Sequence, residues 1–409
     1  MMKVVMILLI LLSYGYCKVY DIKEIYNLSF VNSEDYEIAS LQKEVASKGI
    51  EKSFSSFYPK VEIESEYSKV NEFPVFIDGI EEERRDRRTD VTFSFEQVLY
   101  DKSKYLNFKD KKLLFNQAHL EKEKAKQQLI FDVTKYYFET LMKLNQLHLI
   151  EQKIKRFEKI LERSKYKSGF ISKADYLEAL SQKEELLTQK LQYRLEYNKT
   201  KSFLEKLTGM KNIEVKSKIK LANINNHTLS SYLNDFGENI DFKVQKLKVN
   251  RAIISEDLAL SQFEPKFLLT YEHKSNDIPE TENQKKIALV FSLNIFNGFY
   301  DLKNYEEVKI QKLIEKSNLN KLIKDIKQEI DNKISEVNTF YKIILKYPKI
   351  IETKEFALEG MRERFNVGTK SIIDLLDEEN KYFEKLNKFT EYKYQFIIEY
   401  TTLHFFTNR

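Results

Sequence analysis

The chain has 409 residues but only 9 Gly and 5 Pro to punctuate them, with 32% charged and 42% apolar residues and a mean hydropathy of −0.51. Few breakers and abundant charge describe a small number of very long helices and argue against a compact enzyme core. The net charge of +5 is spread as mixed-sign helix faces, unlike the concentrated basic footprint of a nucleic-acid-binding protein.

Residues 1–17 carry Lys3, then the apolar run from Val4 to Leu12, then small and polar residues. This is an export signal, too short and wrongly flanked for a retained membrane span, and it conflicts with a cytosolic helical regulator. Ser13-Tyr14-Gly15 and Gly15-Tyr16-Cys17 each put small residues where a signal peptidase reads, so two cleavage sites stay open. Cys17, the single cysteine, is a candidate lipid acceptor, although Tyr16 before it is bulky for that recognition. Cleavage before Lys18 leaves no thiol for a disulfide or a metal.

A helix is predicted over residues 34–57, broken by Tyr58-Pro59-Lys60. Then Val61, Ile63 and Tyr67 alternate with Glu62, Glu64 and Glu66, a strand over about residues 60–68 with one apolar and one acidic face. Residues 69–88, with Pro74, Gly79 and the charged run Glu81 to Arg88, read as a solvated loop. A second strand over about 90–99 alternates Val91, Phe93 and Phe95 with Thr92, Ser94 and Glu96. Helical sequence then runs unbroken from Asp101 to Lys167, on the order of 100 Å of straight helix. Ile130, Val133, Tyr137, Leu141 and Leu144 form its packing seam.

After a hinge, a helix over 172–208 presents Leu177, Leu180, Leu187, Leu191 and Leu195 as its apolar positions, and Thr208-Gly209 ends it. Residues 209–230 read as an irregular surface linker around the middle of the molecule. The plan then repeats: a helix over 231–263, strands over about 266–273 and 286–296, a long helix over 300–367 and a helix over 371–405. Ile323, Ile326, Ile330, Ile334, Val337, Tyr341 and Ile344 mark the second seam, and Pro348 is expected to kink the rod. The domains are thus a signal (1–17), a first repeat (18–208), an equatorial linker (209–230) and a second repeat (231–409).

The duplication is clearest at the hinges. Tyr166-Lys-Ser-Gly169-Phe-Ile-Ser172-Lys-Ala-Asp175 aligns without a gap on Phe365-Asn-Val-Gly368-Thr-Lys-Ser371-Ile-Ile-Asp374, about 200 residues on, and a fixed-period repeat defines architecture. Each glycine suits the left-handed end of a helix. Ser172 and Ser371 suit the next N-cap, and Asp175 and Asp374 complete variant capping boxes. Asp374 and Asp377 share a helix face. Four strands with one apolar face cannot stand alone in a bilayer, so two or three copies must close a barrel.

The order of signal, helix, Pro-Lys strand, loop, strand, Leu-Tyr-Asp or Ile-Phe-Asn turn, long helix, glycine hinge and helix, all duplicated, resembles the outer-membrane efflux protein family of TolC-like channels. The resemblance covers residues 34–405 and is most specific at Arg364-Phe-Asn-Val-Gly368-Thr-Lys-Ser371-Ile-Ile-Asp374-Leu-Leu-Asp377. It implies a mostly α fold with a β-barrel part: a homotrimer with a twelve-stranded outer-membrane barrel on a periplasmic α-helical barrel. It further implies an exit duct for substrates delivered by an inner-membrane RND or ABC-type pump through a periplasmic adaptor (membrane fusion) protein, in tripartite efflux or type I secretion. By the same resemblance, Asp374 and Asp377 form the cation-sensitive entrance ring. Lys370, Asp175 and Phe365 form the tip lock, and the grooves beside Gly169, Gly368, Ser172 and Ser371 receive the adaptor. Lysine gives a point charge where arginine would give a bidentate fork, and phenylalanine lacks a tyrosine's hydroxyl, so a weaker lock is expected.

Enzymatic chemistry finds no support. The five histidines are scattered without metal-ligand spacing, and no phosphate-cradling loop or nucleophile motif is present. The chain is read as a non-enzyme without cofactor or metal, contacting outer-membrane lipid and no nucleic acid. The alternative is an exported coiled-coil scaffold or adhesin without a pore, for which the four alternating strands have no use.

Overall fold

The computed structural model describes residues 19–71, 75–77, 80–82, 85–166, 171–216, 237–276 and 283–407. Strand β1 (Val19–Tyr20) leads into α1 (Ile22–Asn32) and α2 (Glu34–Phe54). Asp21 starts α1 with a reciprocal capping box: its carboxylate accepts the Glu24 N–H at 2.9 Å, and the Glu24 carboxylate accepts the Asp21 N–H at 3.0 Å. Strands β2 (Lys60–Asn71), β3 (Val75–Ile77), β4 (Ile80–Glu82) and β5 (Arg85–Tyr100) precede the long helix α3 (Lys102–Tyr166) and its return helix α4 (Lys173–Thr208). The second half supplies β6 (Glu214–Val215), α5 (Ile240–Leu260), β7 (Lys266–Asn276), β8 (Gln284–Ser292), α6 (Tyr300–Asn366) and α7 (Ile372–Thr407).

The two halves stop their helices alike. Ser55–Phe57 and Ser261–Phe263 tighten into single 3₁₀ turns, because Pro59 and Pro265 cannot donate the next helical hydrogen bond. One antiparallel sheet in the order β2-β5-β7-β8 then joins both halves. Its register aligns Glu62, Ser94, Glu272 and Lys286 in one cross-strand row and Val61, Phe95, Tyr271 and Ile287 in the next. The pleat therefore sorts a polar face from an apolar one. On the apolar face Ile287 is 75% and Ile63 71% exposed, so no described residue covers them.

Several boundaries differ from expectation, and β3 and β4 lie within the segment 69–88 read as a loop. β5 begins at Arg85, so Arg85–Arg88 lies in a strand and not a loop, pairing with Ser68–Asn71. β8 ends at Ser292, opposite Lys266. Leu293–Phe296 fall outside the strand because the neighbouring chain turns away at Glu264-Pro265 and has no donor to offer. The short strand β6 lies in the segment read as irregular, helix α1 precedes the first predicted helix, and α6 continues through Pro348 without a break.

By contacts the chain forms two units, each drawing on both repeats: residues 39–122 with 241–322, and residues 1–38 with 123–240 and 323–409. The first holds the sheet and an aromatic cluster in which Phe108 meets Phe54 and Phe57 at 5.6 and 6.2 Å. There Arg251 grips Asp110 with two nitrogens, at 2.8 and 3.3 Å. The second unit has a core of Ile25, Val133, Leu141, Leu204 and Ile213. A further cluster, Ile154, Phe157, Leu161, Ala179, Ile372 and Leu376, packs near the hinges. On α4 the buried apolar positions are Ala179, Leu186 and Leu204, whereas Leu177, Leu191 and Leu195 are 54%, 68% and 70% exposed. Among the described residues no helix is long and apolar enough to cross a membrane.

Candidate functional site

The second hinge follows from local chemistry. Gly368 has φ +80°, a left-handed conformation that side chains resist. With it in place, the Thr369 N–H reaches the Arg364 carbonyl at 2.9 Å and the Gly368 N–H reaches the Phe365 carbonyl at 3.1 Å, a Schellman termination of α6. Ser371 then caps α7: its hydroxyl accepts the Asp374 N–H at 3.1 Å, while the Asp374 carboxylate accepts the Ser371 N–H at 3.1 Å. The Ser371 N–H first, then the Ser371 hydroxyl donating to the carboxylate at 3.1 Å, together with Lys370, hold the Asp374 carboxyl below its ordinary pKa. Lys370 approaches the same carboxylate at 3.8 Å, one helical turn away.

At the first hinge Ser172 caps α4 by accepting the Asp175 N–H at 3.0 Å. Gly169 lies outside the described residues, as does Cys17. The two hinges share a cleft of about 240 Å³, lined by Ile171 and Asp175 from one side and by Phe365, Gly368, Lys370, Ser371 and their neighbours from the other. Five sequence-predicted residues thus meet in one place. Asp377, exposed on α7, lines a different cleft of about 380 Å³ with Lys153, Asn380, Lys381 and Glu384. Burial outweighs the attraction of Glu379 and Glu384 there and lowers the Lys153 pKa to about 8.

Sequence reading missed the ionic groups behind these clefts. Glu379, with a side chain 1% exposed, accepts from Nε of Arg362 at 3.2 Å and also from its Nη2, while Arg156 lies 3.6 Å away. Its neighbour Glu378 pairs with Lys354 at 3.1 Å. A signal existed: Ile372, Leu375, Leu376, Glu379, Tyr382 and Phe383 follow steps of three and four, and all six are buried. An acid on that stripe must bring its own partners.

No family model matches the chain. The outer membrane protein TolC of Vibrio cholerae is 21% identical over 401 residues, covering 92% of this chain and 88% of that protein. Its counterpart from Salmonella enteritidis is 18% identical over 405 residues, covering 92% and 80%. Among solved structures, the outer membrane protein VceC of Vibrio cholerae superposes with a TM-score of 0.85 at 13% identity, covering 94% of this chain and 95% of VceC. The chain resembles TolC-like outer-membrane channels and has their fold. CusC, described as forming a transmembrane channel, superposes at 0.84 with 14% identity over 97% of this chain and 95% of its own. The CmeC outer membrane channel of Campylobacter jejuni superposes at 0.83 with 16% identity, over 94% and 85%. In chain order the hinge residues follow the C-terminal ends of the long helices α3 and α6, and β5 and β8 precede their N-terminal ends.

Proposed function

We propose that three copies of the chain form an outer-membrane exit channel that extends into the periplasm, a passive conduit in a tripartite efflux or type I secretion system. An inner-membrane RND or ABC-type pump delivers substrate, and a periplasmic adaptor couples the two by the grooves beside Gly169 and Gly368. One observation supports this reading above all. Among the described residues the sheet has an uncovered apolar face and two open edges, β2 and β8, which a bilayer does not tolerate until other copies pair them. Three four-stranded sheets close a twelve-stranded barrel, and the polar face then lines a water-filled lumen.

At the entrance, Lys370 and Asp175 flank one cleft with Phe365 between the hinges, an arrangement suited to holding the tip shut. Asp377 is the better placed of the two ring acids, since Asp374 is engaged by its own N-cap.

The test is the native mass of protein extracted in mild detergent from outer membranes, followed by planar-bilayer recording of the same species. The expected result is a mass of three mature chains and discrete conductance steps. A soluble monomer released without detergent would discard the channel and leave an exported coiled-coil scaffold.

A further inference from the structure

Glu379 is a nearly fully buried carboxylate claimed from two sides. Arg362 on α6, within the same helical hairpin, donates to Oε1 from both Nε and Nη2. Arg156 on α3, from the other hairpin, stands 3.6 Å from Oε2, beyond hydrogen-bond distance. Oε2 is buried and has no hydrogen bond. The carboxylate is therefore saturated on one side and underserved on the other. The Arg156 guanidinium also lies over the rings of Phe383 and Tyr382, 5.2 and 5.7 Å from their centroids, which orients it without satisfying the acid.

We propose that Glu379 is a positioning residue of the tip: Arg362 and Glu379 form the fixed member, and the Arg156 contact is the weak joint at which the first hairpin parts from the second. The proposal rests on the channel reading for its consequence, that parting at this joint opens the entrance. Its physical basis is independent of it. Removing Arg362 strips a buried carboxylate of its hydrogen bonds and disturbs both hairpins. Removing Arg156 strips it only of a longer-range attraction and loosens the contact between the hairpins, which the buried cluster of Phe157, Leu161, Ile372 and Leu376 still holds together.

Hydrogen–deuterium exchange on the full-length protein distinguishes these. In Arg156→Gln, amides near the end of α3 are expected to exchange about tenfold faster while those near the end of α6 keep wild-type protection. In Arg362→Gln both segments lose protection. Arg156→Lys keeps the charge and should match wild type, since the contact is electrostatic. In bilayer recordings Arg156→Gln should raise single-channel conductance. The proposal is overturned if Arg156→Gln exchanges like wild type, or if it deprotects both hairpins equally. If wild-type protein shows no conductance, the channel reading falls, and the exchange pattern alone still decides whether the joint exists.

Discussion

At Lys153 two effects oppose each other, and burial prevails over the nearby carboxylates, bringing the pKa from 10.5 to about 8. The charged ammonium is thus disfavoured in the folded chain relative to the unfolded one. That penalty acts in full below pH 8 and fades as pH climbs toward 10.5. Lys153→Met should therefore stabilise the protein at pH 7 by about 1–2 kcal/mol, allowing for partial solvent screening, with the gain shrinking by pH 10. Thermal scans at the two pH values check this, and an equal gain at both would assign the effect to packing. Asp374 has the opposite sign. Its carboxyl is depressed, so its capping contribution is present at neutral pH and is lost as pH falls through the depressed value. Asp377→Ala should relieve channel block by multivalent cations more than Asp374→Ala, and equal relief would mean that the cap does not occupy Asp374. The hinges were legible because glycine, serine and acid act within a few residues of one another. Glu379 was not, because Arg156 and Arg362 reach it from two other helices.

Among the elements, α4 carries more apolar surface than its own chain covers. Of the apolar positions read on it, Leu180 and Leu187 pack beside the buried Ala179 and Leu186, whereas Leu177, Leu191 and Leu195 are exposed. Periodicity locates a stripe but not its partner, and a helix with neighbours on two sides carries two stripes. If the second neighbour is another copy, Leu191→Glu should reduce the native mass from three chains to one while leaving far-UV circular dichroism unchanged. A trimer that survives the substitution would free that face for a different partner. The strands were the most legible elements, since a period of two sorts Glu62 from Ile63 without knowledge of any neighbour. Their ends were not, because pairing with the opposite strand sets them, as at Arg85 and Ser292.

For the molecule as a whole, the sheet register concentrates Glu62, Glu64 and Glu66 on the polar face, beside Asp90, whose charge Lys274 meets at 3.4 Å. The glutamates of β2 set the sign of the proposed lumen. Replacing Glu62 and Glu64 with Gln should lower the cation preference read as a reversal potential in a salt gradient, and an unchanged potential would place the selectivity elsewhere, with Asp377 as the next group to test.

One small contact sets a timetable. Val19–Tyr20 lies in parallel register with Glu214–Val215, and Asn32 donates to the Thr208 carbonyl at 2.7 Å nearby. If, as proposed, the chain is exported N-terminus first, β1 waits until the whole first repeat has crossed before its only described strand partner arrives. Such long-range parallel pairing is slow and comes late. On that order the segment delivered first would be among the last to settle, after the hairpin that carries the first hinge.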